Sequence, residues 1–173
     1  IVYTANDNPG TSTNFSISNL FVTRREIIPS NAVVQAMQTR GGTRIDMLEF
    51  DRLNSRGSDN GWTVIRYGPF DNIPVFRLGE MYLIRAEARA MKDNINGEGS
   101  AQSDLNIIRA RAGTTLAPPS TRGDMLLAIE QERQVELAFE GHRWYDLVRT
   151  GRAQSVMERV TNNWTEKDEL WPI

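Results

Sequence analysis

Three glutamates, Glu132, Glu136 and Glu140, lie four residues apart, and that spacing lines side chains along one face of a helix. Paired carboxylates are the machinery of glycoside hydrolysis, one acting as acid and the other as base or nucleophile across roughly 5 to 9 Å. Catalytic carboxylates usually come from different elements flanking a cleft. These three sit instead in one stretch, 130–149 (EQERQVELAFEGHRWYDLVR), among Arg133, Arg143 and Arg149 and many large apolar residues. An ordinary amphipathic helix segregates its charges to one face. This one does not, so some charges are buried and need partners. The pattern predicts a structural ion network: Glu132, Glu136 and Glu140 pair with Arg133, Arg143, Arg109 or Arg149 and fix how the last two helix pairs meet.

Other reactive groups are sparse. The single histidine, His142, stands beside Trp144 and Asp146, but no G-x-S-x-G elbow presents a serine and Ser155 has a helical setting. A junction histidine bonded to backbone is the simpler reading. Gly97-Glu98-Gly99 lacks the lysine of a phosphate loop. There is no cysteine, so disulfides and thiolate sites are excluded. Asp51, Asp59 and Asn60 offer oxygen ligands suited to calcium, without regular spacing. No metal and no cofactor is expected. Trp62, Tyr67, Phe70, Trp164 and Trp171 lie in or beside loops. An exposed ring stacks on the CH-rich face of a sugar while nearby polar groups bond its hydroxyls. Trp62, Asn60, Asp59, Arg56 and Tyr67 are therefore the candidate ligand contacts. The alternative is that Trp62 plugs a small core beneath a loop.

The elements that position these residues read as mostly helical. The chain has 173 residues, 39% apolar and 24% charged, with 20 Lys+Arg against 22 Asp+Glu. That is one ordinary domain or a large part of one, with no charge bias toward nucleic acid or anionic membrane. Only Lys92 and Lys167 are lysines; the other cations are arginines, which suit bidentate, partly buried pairing. No apolar run approaches the roughly 18 residues of a membrane span. The chain opens at Ile1 without a signal pattern and stops at Ile173, as part of a longer protein would.

Residues 1–25 read as loop with marginal strand at 1–3 and 15–18 and a dense turn signal at 6–10. Ser30 caps a short helix that Gly41-Gly42 ends. Phe50–Leu53 and Trp62–Tyr67 flank Asp59-Asn60-Gly61 as an irregular hairpin. Leu78–Met91 is a helix apolar nearly all round, which predicts neighbours on more than one side. Ala101, Leu105, Ile108 and Ala112 stripe the next helix, with Gly113 beyond its end. Thr121-x-x-Asp124 is a capping box that opens a long helix reaching Phe139. Shorter helices follow over Arg143–Arg149 and from Ala153 to Val160. The expected fold is mainly α: tetratricopeptide-like helical hairpins with long irregular loops and a few short strands. Residues 1–77 form the loop and short-strand region with one short helix, 78–160 two helical hairpins of about 35 residues each, close to the tetratricopeptide period, and 161–173 a truncated tail.

Several blocks resemble one family. Residues 71–88 (DNIPVFRLGEMYLIRAEA), 105–113 (LNIIRARAG) and 132–149 (ERQVELAFEGHRWYDLVR) are similar to motif blocks of SusD/RagB proteins, in the same order and spacing. Residues 170–173 (LWPI) resemble the start of a segment near that family's C-terminus. One departure is Gly41-Gly42-Thr43-Arg44, where the family often has Gly-Asp-x-Arg. The resemblance implies a non-enzymatic outer-membrane surface lipoprotein of diderm bacteria. Such proteins bind a glycan, or sometimes a peptide, and sit as a lid on a SusC-like TonB-dependent transporter. It implies that the lipid-anchoring cysteine and the first helix pairs lie upstream of this chain. The family's motif blocks are structural and its ligand residues vary, so the resemblance assigns no ligand residue here. The rival reading is a tetratricopeptide-like scaffold that binds only protein.

Overall fold

The computed structural model describes residues 2–4, 18–55, 57, 59–68, 71, 73–118, 120–160 and 164–169. The turn expected over 6–10 lies outside them, as do Arg56, Phe70, Trp171 and, except for Ser18, the strand expected over 15–18. The chain forms two compact units, Ile1–Glu136 and Leu137–Ile173.

In the first unit, β1 (Val2–Thr4) pairs antiparallel with β4 (Ile73–Phe76), and β2 (Leu48–Phe50) pairs antiparallel with β3 (Trp62–Val64). The second pair is the expected hairpin, with its first strand starting two residues earlier than Phe50. Gly61 makes the turn at φ +80°, where a Cβ would lie 2.9 Å from both the Asp51 carbonyl oxygen and the Phe50 ring. Helix α1 spans Asn31–Arg40, and its cap is the expected one: Ser30 Oγ accepts from the Val33 N–H at 3.3 Å.

The core is built by α2 (Leu78–Met91), α3 (Ala101–Arg111) and α4 (Arg122–Glu136). Ser100 caps α3 and Gly113 follows it at φ +67°. Thr121 caps the start of α4: its Oγ1 accepts from the Asp124 N–H at 3.2 Å and donates to the Asp124 carboxylate at 2.7 Å. Leu83, Ala86 and Ala90 of α2 close against Ala101, Leu105 and Ile108 of α3 and Met125 and Ile129 of α4. The alanines let the helices approach closely. An ion cluster missed in the sequence clasps the same pair: Arg85 bonds both Asp104 oxygens, at 2.9 and 2.7 Å, and Arg89 adds a third bond at 2.7 Å.

Two expectations are corrected. Helix α2 is covered along one stripe only, and Leu78, Met81, Ile84 and Met91 are exposed. Its apolar residues wind around the axis, whereas α3 and α4 meet a single face. Helix α4 stops at Glu136 rather than Phe139. The Glu136 carbonyl, which would take the N–H of residue 140 in a continued helix, accepts instead from the Arg77 guanidinium. The Glu140 N–H turns to the Leu137 carbonyl at 3.2 Å, and Phe139 takes φ +66°.

In the second unit, α5 (His142–Arg149) is followed by α6 (Ala153–Met157) and a 3₁₀ turn, Glu166–Glu169. Gly151, at φ +65°, separates the two helices. Trp144 meets Trp164 edge to face with centroids 5.9 Å apart.

Leu105→Ala is expected to lower the unfolding free energy by about 2–5 kcal/mol through the cavity it leaves. Ile107→Ala, on the exposed face of the same helix, should change it by about 0.5 kcal/mol or less. Chemical denaturation of the two variants makes the comparison.

Candidate functional site

The hairpin face carries the residues expected to touch a ligand. Asp59 is bound on both oxygens by Arg25, from Nε and Nη2 at 2.7 Å each, and accepts the Gly61 N–H at 2.8 Å. The Arg25 hydrogen bond, then the Gly61 amide, hold its carboxyl below the usual carboxylate range, with the Arg25 charge adding to them against the opposing effect of desolvation. Arg25 itself sits at φ +50° and also donates to the Trp62 carbonyl at 3.1 Å and to the Thr63 hydroxyl. Asn60 donates to the Pro29 carbonyl and to the Asn31 side chain, at 2.8 Å each, and accepts the Trp62 N–H at 3.1 Å. Tyr67 is buried and stacks on Phe21 at 6.0 Å. Asp59, Asn60 and Tyr67 thus fasten the hairpin to the segment before α1 and to its start; Tyr67 is buried, while Asp59 and Asn60 are half-buried.

Trp62 differs. It is half-buried, and its ring lies against Phe50 with centroids 5.2 Å apart and planes tilted by 51°. Phe50 is 52% exposed. Phe50 and Trp62 are cross-strand partners in the β2–β3 register, so one aromatic surface is held by backbone pairing. Sequence reading missed Phe50 because it assigned Phe50 to a strand without asking which residue faced it across the hairpin.

The calcium alternative loses its ligands. Asp51 caps a short 3₁₀ turn, accepting the Leu53 N–H at 2.8 Å, and Asp59 is held by Arg25. Among the described residues no group of three or more acidic or histidine side chains is placed to hold a metal.

The glutamates of α4 form the second constellation. Glu132 and Glu136 are almost wholly buried, at 4% and 2% side-chain exposure. Glu132 accepts from Arg109 Nε at 2.8 Å, a pair expected from the sequence, and meets Arg44 Nη1 at 2.7 Å. The same Arg44 nitrogen reaches Glu136 at 3.0 Å, while the other Glu136 oxygen takes Arg77 and Arg111. Burial pushes the Glu136 carboxyl up. The hydrogen bonds and charges of Arg111 and Arg77 outweigh it and leave the group below its ordinary value. A general acid requires the opposite shift, so the arginines argue against glycosidase chemistry at these glutamates.

Arg149 pairs with Asp146 on its own helix at 2.9 Å. Arg133 is buried, and Glu140 and Arg143 are half-buried. The observed pairs tie α4 to the turn after α1, to the residue before α2 and to the last turn of α3. Arg44, Arg77 and Arg111 were missed because they lie 92, 59 and 25 residues from Glu136. Each nonetheless stands inside or beside a motif block quoted from the sequence. Gly79 completes the cage: a Cβ there would lie 2.7 Å from Glu136 Oε1. The departure at Gly41-Gly42-Thr43-Arg44 keeps the arginine. Gly42, at φ +57°, has its Cα against the Ala112 carbonyl, where a Cβ would come within 2.0 Å.

A buried ion cluster thus ties α4 to the turn after α1, to the residue before α2 and to α3, and the β2–β3 hairpin carries a paired aromatic surface. The SusD family model matches residues 37–172, and the chain belongs to the SusD family. A SusD-like protein of Formosa agariphila is 35% identical over 112 residues, covering 62% of this chain and 21% of that protein. The starch-binding protein SusD of Bacteroides thetaiotaomicron is 39% identical over 83 residues, 48% of this chain and 14% of that protein. The solved structure of a laminarin binding SusD-like protein superposes with a TM-score of 0.64 at 26% identity, over 84% of this chain and 34% of that one. The chain thus spans about a fifth or less of the length of these curated relatives.

Glu136→Gln is expected to cost about 3–5 kcal/mol, because it leaves buried guanidiniums facing a neutral amide. The folded carboxyl lies below the ordinary value of 4.5, so its contribution is complete above that pH and fades as pH falls through the lower folded value. Denaturation midpoints followed from pH 7 into the acid range should drop in the parent and much less in the variant.

Proposed function

We propose that this chain is part of a cell-surface protein that captures glycans without chemistry. It would hand them to a SusC-like TonB-dependent transporter from a lipid anchor at the outer membrane that lies outside this sequence. The Phe50–Trp62 surface carries the reading, because a pair of tilted rings set by cross-strand pairing suits the CH face of a hexose. Family membership supports it, as do relatives whose names specify starch and laminarin. The scaffold reading has one observation in its favour, the exposed apolar residues of α2, and predicts a protein partner with no glycan bound.

Affinity electrophoresis and calorimetry against laminarin, starch and other glycans test the proposal. Trp62→Ala and Phe50→Ala should each weaken binding about tenfold or more, on the scale of 1–3 kcal/mol for an aromatic stacking contact. No binding to any glycan, with no transporter co-purifying with the full-length protein, would sink the reading.

A further inference from the structure

A cleft of about 390 Å³ lies among the end of α1, the end of α3 and α4, beside Glu132 of the ion cluster. Its lining includes Gln38, Arg40, Arg109, Thr115, Gln131 and Glu132, and no aromatic residue. A cleft of this make-up offers hydrogen bonds and charge rather than a stacking surface. Arg109 is the informative member. Its side chain is only 17% exposed, and Nε is fixed on Glu132 at 2.8 Å. That is its one side-chain bond among the described residues, so both terminal nitrogens of a guanidinium already held in place are available to the cleft. The side chains of Gln38, Thr115 and Gln131 likewise make no hydrogen bond among the described residues. Beneath them, Arg44, Arg77, Arg109 and Arg111 meet Glu132 and Glu136, four cations on two carboxylates.

We infer that this cleft binds the oxyanion of an acidic sugar, a carboxylate or a sulfate ester. Arg109 supplies a preorganised fork, and Gln131 and Thr115 hold the oxyanion and the adjoining hydroxyls. A fork anchored through Nε loses little freedom when its terminal nitrogens engage two oxygens, and that geometry matches carboxylate and sulfate alike. The sugar in this inference rests on the glycan-capture reading, and the site is separate from the Phe50–Trp62 surface.

Calorimetry and amide chemical-shift titration of this chain with glucuronate, glucose 6-sulfate, glucose and inorganic sulfate provide the test. Saturable binding of either acidic sugar, at least tenfold tighter than glucose, is expected, and the stronger of the two identifies the oxyanion. Arg109→Lys and Gln131→Ala should each weaken it about tenfold or more, as for loss of a bond to a charged group. Gln131→Ala removes no ion pair and remains informative if Arg109→Lys fails to fold. If neutral glycans bind nowhere but acidic sugars bind with this Gln131 dependence, the cleft stands although the reading of the aromatic surface falls. Inorganic sulfate binding as tightly as either acidic sugar, glucose binding equally well, or binding indifferent to Gln131 overturns the inference.

Discussion

Two carboxylates taken out of water on one helix face govern this structure. Glu132 and Glu136 have lost nearly all hydration, and such ions persist only where cations and hydrogen bonds replace it. Four arginines from separated parts of the chain do so. Several local features follow from that requirement. Residue 79 is a glycine because the Glu136 carboxylate occupies the space a Cβ would need. Helix α4 ends where it does because Arg77, already bound to the carboxylate, also takes the Glu136 carbonyl. Arg44 is oriented by bonding its own turn, through Nε to the Gly41 carbonyl at 2.7 Å.

What was legible in the sequence was whatever local chemistry decides. Ser30 and Thr121 cap helices because their hydroxyls satisfy free amides within three residues, a pattern readable without tertiary knowledge. The stripe through Leu105 and Ile108 reports its buried face directly. Legibility failed where a distant group decides. Phe139 sits in a sequence with ordinary helical character, and only an arginine 59 residues upstream of Glu136 ends the helix before it. Charge mixing revealed that the α4 glutamates are buried, yet the identity of Arg44, Arg77 and Arg111 as partners depends on how the chain returns. In the hairpin, polar residues beside a tryptophan suggested a ligand site, while the bonds of Asp59 and Asn60 to Arg25, Pro29 and Asn31 depend on how the chain returns. Residue type cannot distinguish a fastener from a free hand.

The ion cluster and the proposed Phe50–Trp62 surface therefore occupy different residues. The blocks that place the chain in the SusD family hold the helices together, and they include Arg77, Arg111, Glu132 and Glu136. The Phe50–Trp62 surface lies on a short hairpin outside those blocks. A scaffold so constrained can present varied hairpin sequences without change to its core, a general reason why binding residues are found on loops set by rigid elements.

One atom in this arrangement has a particular bearing. Arg44 Nη1 touches both carboxylates, at 2.7 Å to Glu132 and 3.0 Å to Glu136. The two acids are consequently not independent thermodynamic entities. A change at either one alters the position and charge environment of the nitrogen that serves the other, so the energetic effects of paired substitutions will not sum. For sequence divergence this means that the cluster is inherited or replaced as a set, whereas the surfaces around it can drift one residue at a time.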